Sequence, residues 1–284
     1  MGRMVGKPPP AVNLMNLSGS TIAAWLLARS ATRPWWHEWS MHLVPPRCLF
    51  CGEPGDLGRL DLCGYCLEVL PWRASPASGG ATTTGFRPDC PIKESKSDQD
   101  AISVPKSTVI PLWYATPVDA ALRALKFHGD LAPARVFGAV LAAEAACRGP
   151  LPDLIVPVPL HSGRLHERGY NQAAMLARAA AAWLQRPCLP RLLERRRATA
   201  PQTTLAADER RRNPAGAFAL APDAARQLRR LRMSIRHVAL VDDITTTGAT
   251  LAAAATALQG FRSTSHWAVA QPSSTSFTPS DSAD

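Results

Sequence analysis

The chain has 284 residues, of which 46% are hydrophobic, with 32 Lys and Arg against 22 Asp and Glu and a formal net charge of +10. That is enough apolar material for a sizeable core in one or two domains, so a wholly disordered chain is excluded. The longest apolar run near the start, Thr21 to Ala28, is far shorter than the roughly 20 residues needed to span a bilayer, and no membrane insertion is expected.

Residues 1–40 read as an extension. Arg3 and Lys7 followed by an apolar run suggest a secretory signal, but Pro8 to Pro10 interrupt the approach and no A-x-A-like cleavage site follows. A cytoplasmic protein is expected, with Trp35, Trp36 and Trp39 covering a short helix packed on the next segment. In that segment, 41–72, Cys48 and Cys51 form one C-x2-C pair and Cys63 and Cys66 a second. Two such knuckles supply the four thiolates of a tetrahedral zinc site with no open position for water, which makes the metal structural; a redox dithiol or chance clustering is the alternative. Cys90, Cys147 and Cys188 stand alone and read as incidental small side chains. Residues 73–108 are rich in Ser, Pro, Gly and Lys and read as a linker.

From residue 109 to 270 strands and helices alternate. Leu112 to Tyr114 predicts a strand, Val118 to Lys126 and Leu131 to Cys147 predict helices, and Leu154 to Val158 predicts a strand closed by prolines. Arg164 and Arg168 then precede a helix over Gly169 to Leu184; their guanidinium forks suit diphosphate oxygens, and a solvated helix entry is the plainer alternative. Thirteen arginines against four carboxylates lie between Arg186 and Arg236, a concentration that attracts polyanions or is simply a solvated surface. The run His237 to Val241 predicts a buried strand and Thr250 to Leu258 a helix. Gly260 to Ala270 shows only a weak strand pattern, and the tail 271–284 is polar and expected to be disordered. The succession predicts an α/β fold with a mostly parallel sheet between helices.

Between that last strand and helix lies the most informative stretch. Asp242 and Asp243 stand at the carboxyl end of the strand, where open α/β sheets bind ligands, and can accept hydrogen bonds from a pair of sugar hydroxyls. Thr245, Thr246, Thr247, Gly248, Ala249 and Thr250 follow, bringing hydroxyls, backbone amides and a helix N-terminus to where a phosphate would sit. An ordinary strand-to-helix turn with Thr and Asp as caps is the alternative.

The pattern resembles the phosphoribosyl pyrophosphate motif of type I phosphoribosyltransferases. With LVPPRCLFCG, LCGYC, ALKFHGD, PVPLHSGRLHERGYNQ and RATAPQTTLAADERRRNPAGAF in the same order, the chain resembles the ComF family of competence-associated, phosphoribosyltransferase-like proteins from about Leu43 to about Leu258. The resemblance implies a zinc-ribbon module joined to a type I phosphoribosyltransferase-like domain. It places Asp242 and Asp243 on the ribose 2′ and 3′ hydroxyls, Thr246 to Thr250 around the 5-phosphate, and Arg164 and Arg168, with Mg²⁺, on the diphosphate. Lys126 would assist, and Thr199 to Phe218 would fold over the site. Where members commonly carry a further cysteine pair, Cys90 is solitary, so a second metal site is not expected. Two readings stay open: a transferase that releases pyrophosphate to an unidentified acceptor, and a factor that binds single-stranded DNA or competence proteins and keeps the phosphoribosyl site as a vestige or sensor.

Overall fold

The structure is a computed structural model that describes residues 19–30, 46–58, 60–73, 108–197 and 216–273. Trp35, Trp36, Trp39, Cys90, the bulk of the proposed cover and the tail beyond residue 273 lie outside the described residues. In chain order the elements are α1 (Gly19–Ser30), α2 (Gly64–Val69), β1 (Thr108–Val109), β2 (Leu112–Trp113), α3 (Val118–Phe127), α4 (Ala132–Arg148), β3 (Leu154–Pro157), α5 (Ser162–Arg168), α6 (Gln172–Leu184), β4 (Leu193–Arg195), β5 (Phe218–Leu220), α7 (Ala224–Arg230), β6 (His237–Ile244), α8 (Ala249–Thr256) and β7 (Ser263–Gln271).

The expected α/β architecture is present: β3, β6 and β7 run side by side, β1 and β2 extend the sheet beyond β7, and every pairing is parallel. Pro111 explains why the first strand is split, because it has no N–H to continue a ladder. The weak strand pattern at the far end is a finding in its own right. Ser263–Gln271 forms a nine-residue strand paired on both sides, with Ser265 and His266 buried among apolar neighbours. A parallel strand covered on both faces shows no apolar–polar alternation, and its polar first half removes the apolar run that would have replaced it.

Helices cover both faces. One core joins the Ala239 and Val241 side of β6 to α4 and α6, and continues without a break through Leu67 and the cysteine segment to Ile22 and Leu26 of α1. A second core lies on the Val238 and Leu240 side, under Leu251 and Ala254 of α8. The apolar run near the start is thus a helix of the folded core, with Trp25 stacked on Trp183 of α6 at 5.9 Å between ring centroids. Phe50 of the cysteine segment meets Phe137 of α4 at 6.3 Å, and Arg135 donates to Asp61. Among the described residues no helix is long and apolar enough to cross a membrane.

Helices α4 and α6 approach closely at Gly138, where an added Cβ would stand 2.4 Å from the Cβ of Ala179 and 3.0 Å from backbone atoms of Leu176 and Ala180. Helix propensity alone favours Ala over Gly by about 1 kcal/mol. The clash is with atoms that have no rotamer to turn, so overpacking at about 1–3 kcal/mol prevails. Gly138→Ala is expected to lower the urea midpoint without changing the slope of the transition, and a rise in the midpoint would contradict this packing.

Candidate functional site

Strand β6 ends in the two carboxylates. Asp243 lies toward α6, where Gln172 meets it, and the Asp242 and Asp243 carboxyls remain within reach of each other. Each carboxylate has a hydrogen bond that fixes it. Asp242 Oδ1 accepts from the amide of Asp243 at 2.9 Å, and Asp243 Oδ1 accepts from the amide of Ile244 at 2.9 Å. Asp243, itself buried, also accepts from Nε2 of Gln172 at 3.3 Å through Oδ2. Burial first, and then the neighbouring Asp243, push the Asp242 carboxyl well above its ordinary 3.8, while the charge of Lys126 opposes the shift.

The loop leaves the strand at Thr245, whose amide donates to Ala270 of β7 at 3.0 Å, and Gln271 donates to the Thr246 carbonyl at 3.4 Å. Thr247 Oγ1 accepts from the amide of Ala249 at 3.4 Å. Gly248 turns the chain into α8 with φ of +74°, a left-handed conformation that Gly adopts without strain. A Cβ built there meets nothing within 4 Å, so the turn faces open space. Gly248 thus stands in the open at the start of α8, while Thr245 is buried where the loop leaves the strand.

The proposed cations come from two other elements. Lys126 ends α3 with Nζ 5.7 Å from the centroid of the exposed Phe127 ring, and Arg168 ends α5 with its guanidinium 5.4 Å from the same ring. Arg168 also donates to Oε1 of Gln172 at 2.9 Å, which connects it through Gln172 to Asp243. Arg164 is half-buried on α5 and close enough to Arg195 of β4 to add to the lowering of the Arg195 guanidinium, which burial begins and Asp242 opposes. Arg195 sits 5.3 Å over Phe218, across the antiparallel β4–β5 ribbon.

Gln172 is the residue that sequence reasoning missed. It closes the GYNQ run but gave no chemical reason to be singled out; the only available signal was its position four residues after Arg168.

The cysteines form a separate centre. The Sγ atoms of Cys48, Cys51, Cys63 and Cys66 all lie within 4.8 Å of one another, with Cys51 and Cys63 at 3.7 Å. A tetrahedral Zn–S bond of about 2.3 Å implies sulfur–sulfur separations of roughly 3.8 Å, so the donor set fits structural zinc. Gly52, with φ of +77°, closes the first knuckle, while Cys63 caps α2 and accepts from the Cys66 amide at 3.4 Å. Burial would raise the Cys48 thiol, but hydrogen bonds from the amides of Cys51, Phe50 and Cys63 outweigh it and bring it down to about 7; burial raises Cys63 and Cys66.

Comparison with known proteins adds relatives that span nearly the whole of their own length. The chain is 34% identical over 214 residues to competence protein F of Haemophilus influenzae, covering 72% of this chain and 87% of that protein. It is 31% identical over 223 residues to the DNA utilization protein YhgH of Salmonella typhi, covering 75% and 90% respectively. The YhgH protein of Escherichia coli strain K12 is 31% identical over 221 residues, again covering 75% and 90%. No family model matches the chain.

Two measurements check the site. A carboxyl whose pKa rises on folding binds its proton more tightly in the native state, so the wild type loses stability as pH climbs above the ordinary 3.8. Asp242→Asn keeps the acceptor and removes the charge. It is expected to match the wild type at pH below that value and to exceed it in denaturant midpoint at pH 7; a variant less stable at pH 7 would contradict the burial of that charge. Elemental analysis should find one zinc per chain, lost in Cys66→Ser, and chelation should lower the melting temperature; a metal-free chain with unchanged melting would remove the zinc assignment.

Proposed function

The chain belongs to the ComF family, and from that premise we propose that it binds phosphoribosyl pyrophosphate at the carboxyl edge of β6 and transfers the phosphoribosyl group with release of pyrophosphate. The observation that supports this reading best is the junction of Asp242 and Asp243 with a loop whose left-handed Gly248 faces open space at the start of α8. The loop receives the 5-phosphate. The carboxylates accept from the ribose hydroxyls and favour positive charge on the ring as the bond from C1 to the diphosphate breaks. The acceptor forms the new bond at C1 and gives up its proton, while Arg164, Arg168 and Lys126 neutralise the departing diphosphate. Bound Mg²⁺ supplies further neutralisation, held mainly by diphosphate oxygens and water. The relatives are named for competence and DNA utilization, which supports a link between the proposed activity and the uptake or use of DNA.

A second reading is favoured by one observation: Arg191, Arg196, Arg226, Arg229, Arg230, Arg232 and Arg236 are all exposed, while acidic groups are few in that stretch. In that reading this face binds single-stranded DNA electrostatically and the sugar-phosphate site is sensory.

Calorimetric titration with phosphoribosyl pyrophosphate and Mg²⁺ separates the two. The transferase reading expects one ligand per chain, affinity reduced at least a hundredfold when Asp242→Asn and Asp243→Asn are combined, and pyrophosphate release with the right acceptor. Undetectable binding by the wild type, together with salt-dependent DNA binding that ignores those substitutions, would overturn it.

A further inference from the structure

Gln172 is the first residue of α6 and is only 5% exposed. Its carboxamide is used at both ends, accepting from Arg168 at 2.9 Å and donating to Asp243 at 3.3 Å. The orientation of that amide is dictated by its partners, because a guanidinium only donates and a carboxylate only accepts. The helix start that presents it is itself fixed. Asn171 caps α6 by accepting from the Ala173 amide at 3.0 Å and donates to the carbonyl of Val158, just past β3, at 3.0 Å. Arg168 is held from its other side by the Phe127 ring. Gly169, at φ of +78°, ends α5 between the two partners, so the Arg168–Gln172 bond joins two separate helices.

We propose that Gln172 is a positioning residue that couples Arg168 to Asp243, so that the cation facing the diphosphate sets the orientation of the carboxylate facing the ribose. This rests on the phosphoribosyl pyrophosphate reading of the site. Gln172 itself stays behind Asp243 and acts through it. A side chain of the same length without polar atoms fills the same space but breaks both bonds, leaving the Asp243 carboxylate one donor short and Arg168 without this acceptor. Neither Met nor Glu can replace it: Met has no amide, and a Glu carboxylate would face Asp243 with like charge.

The test uses ribose 5-phosphate, which has no diphosphate for Arg168 to touch, titrated into the full chain and followed by calorimetry. With Gln172 intact, Arg168→Ala is expected to weaken ribose 5-phosphate about fivefold, an effect transmitted through Gln172 to Asp243. In the Gln172→Met background, Arg168→Ala is expected to have no further effect on this ligand. A purely structural Gln172 would give equal changes in both backgrounds. Should Gln172→Met fail to fold, Gln172→Leu serves in its place, since it too removes both the acceptor for Arg168 and the donor to Asp243. Equal losses in the two backgrounds, or no loss from Arg168→Ala with Gln172 present, overturn the coupling while the binding site stands. A wild type that binds neither ribose 5-phosphate nor phosphoribosyl pyrophosphate overturns the site reading and the coupling with it.

Discussion

Burying the Asp242 carboxylate beside Asp243 at the end of a strand covered on both faces costs free energy, and the surroundings of β6 are arranged about that cost. Asp242 and Asp243 each receive a backbone amide from the residue that follows. Gln172 adds a further donor to Asp243, and Lys126 offsets part of the repulsion at Asp242. These contacts reduce the penalty without removing it, since burial and the neighbouring Asp243 still hold the Asp242 carboxyl above its ordinary range. A site of this kind gains most from a ligand that brings hydroxyl donors and developing positive charge, as a pentose does while losing a leaving group at its anomeric carbon.

The cysteine segment owes its fold to two sources. Its four thiols suit a single zinc, while Leu57, Leu60, Leu62, Leu67 and Leu70 are buried in the same core as α1 and α4. So short a segment has too little apolar area to fold alone, and the metal and the shared core each supply part of the difference. Trp72 reinforces the junction: its indole donates to the Leu67 carbonyl at 2.9 Å, and its backbone pairs with Leu112 of β2. A metal held there would stiffen a segment that packs on α4, the helix that in turn packs against α6.

Some of this was legible in the sequence because the chemistry is local. The four cysteines announce their geometry by spacing alone, and the Val238 to Thr250 stretch contains strand, carboxylates, loop and helix within a few residues of one another. What could not be read depends on distant parts meeting. β7 is central yet starts Ser-Thr-Ser-His, and only pairing on both sides makes it a strand. The apolar run of α1 becomes core only because α2 and α4 stand beside it. Gln172 acquires a role through a carboxylate more than seventy residues away. Arg164 and Arg168 share one short helix but look to different neighbours, Arg164 toward Arg195 and Arg168 toward Gln172, and spacing alone gives no hint of that divergence.

A crystal structure of the chain soaked with phosphoribosyl pyrophosphate and Mg²⁺ tests the central claim most directly. The account predicts the 5-phosphate against the turn at Gly248, the ribose hydroxyls on Asp242 and Asp243, and the diphosphate toward Arg164 and Arg168. Density for the sugar elsewhere, or carboxylates turned from it in an occupied site, would contradict the account.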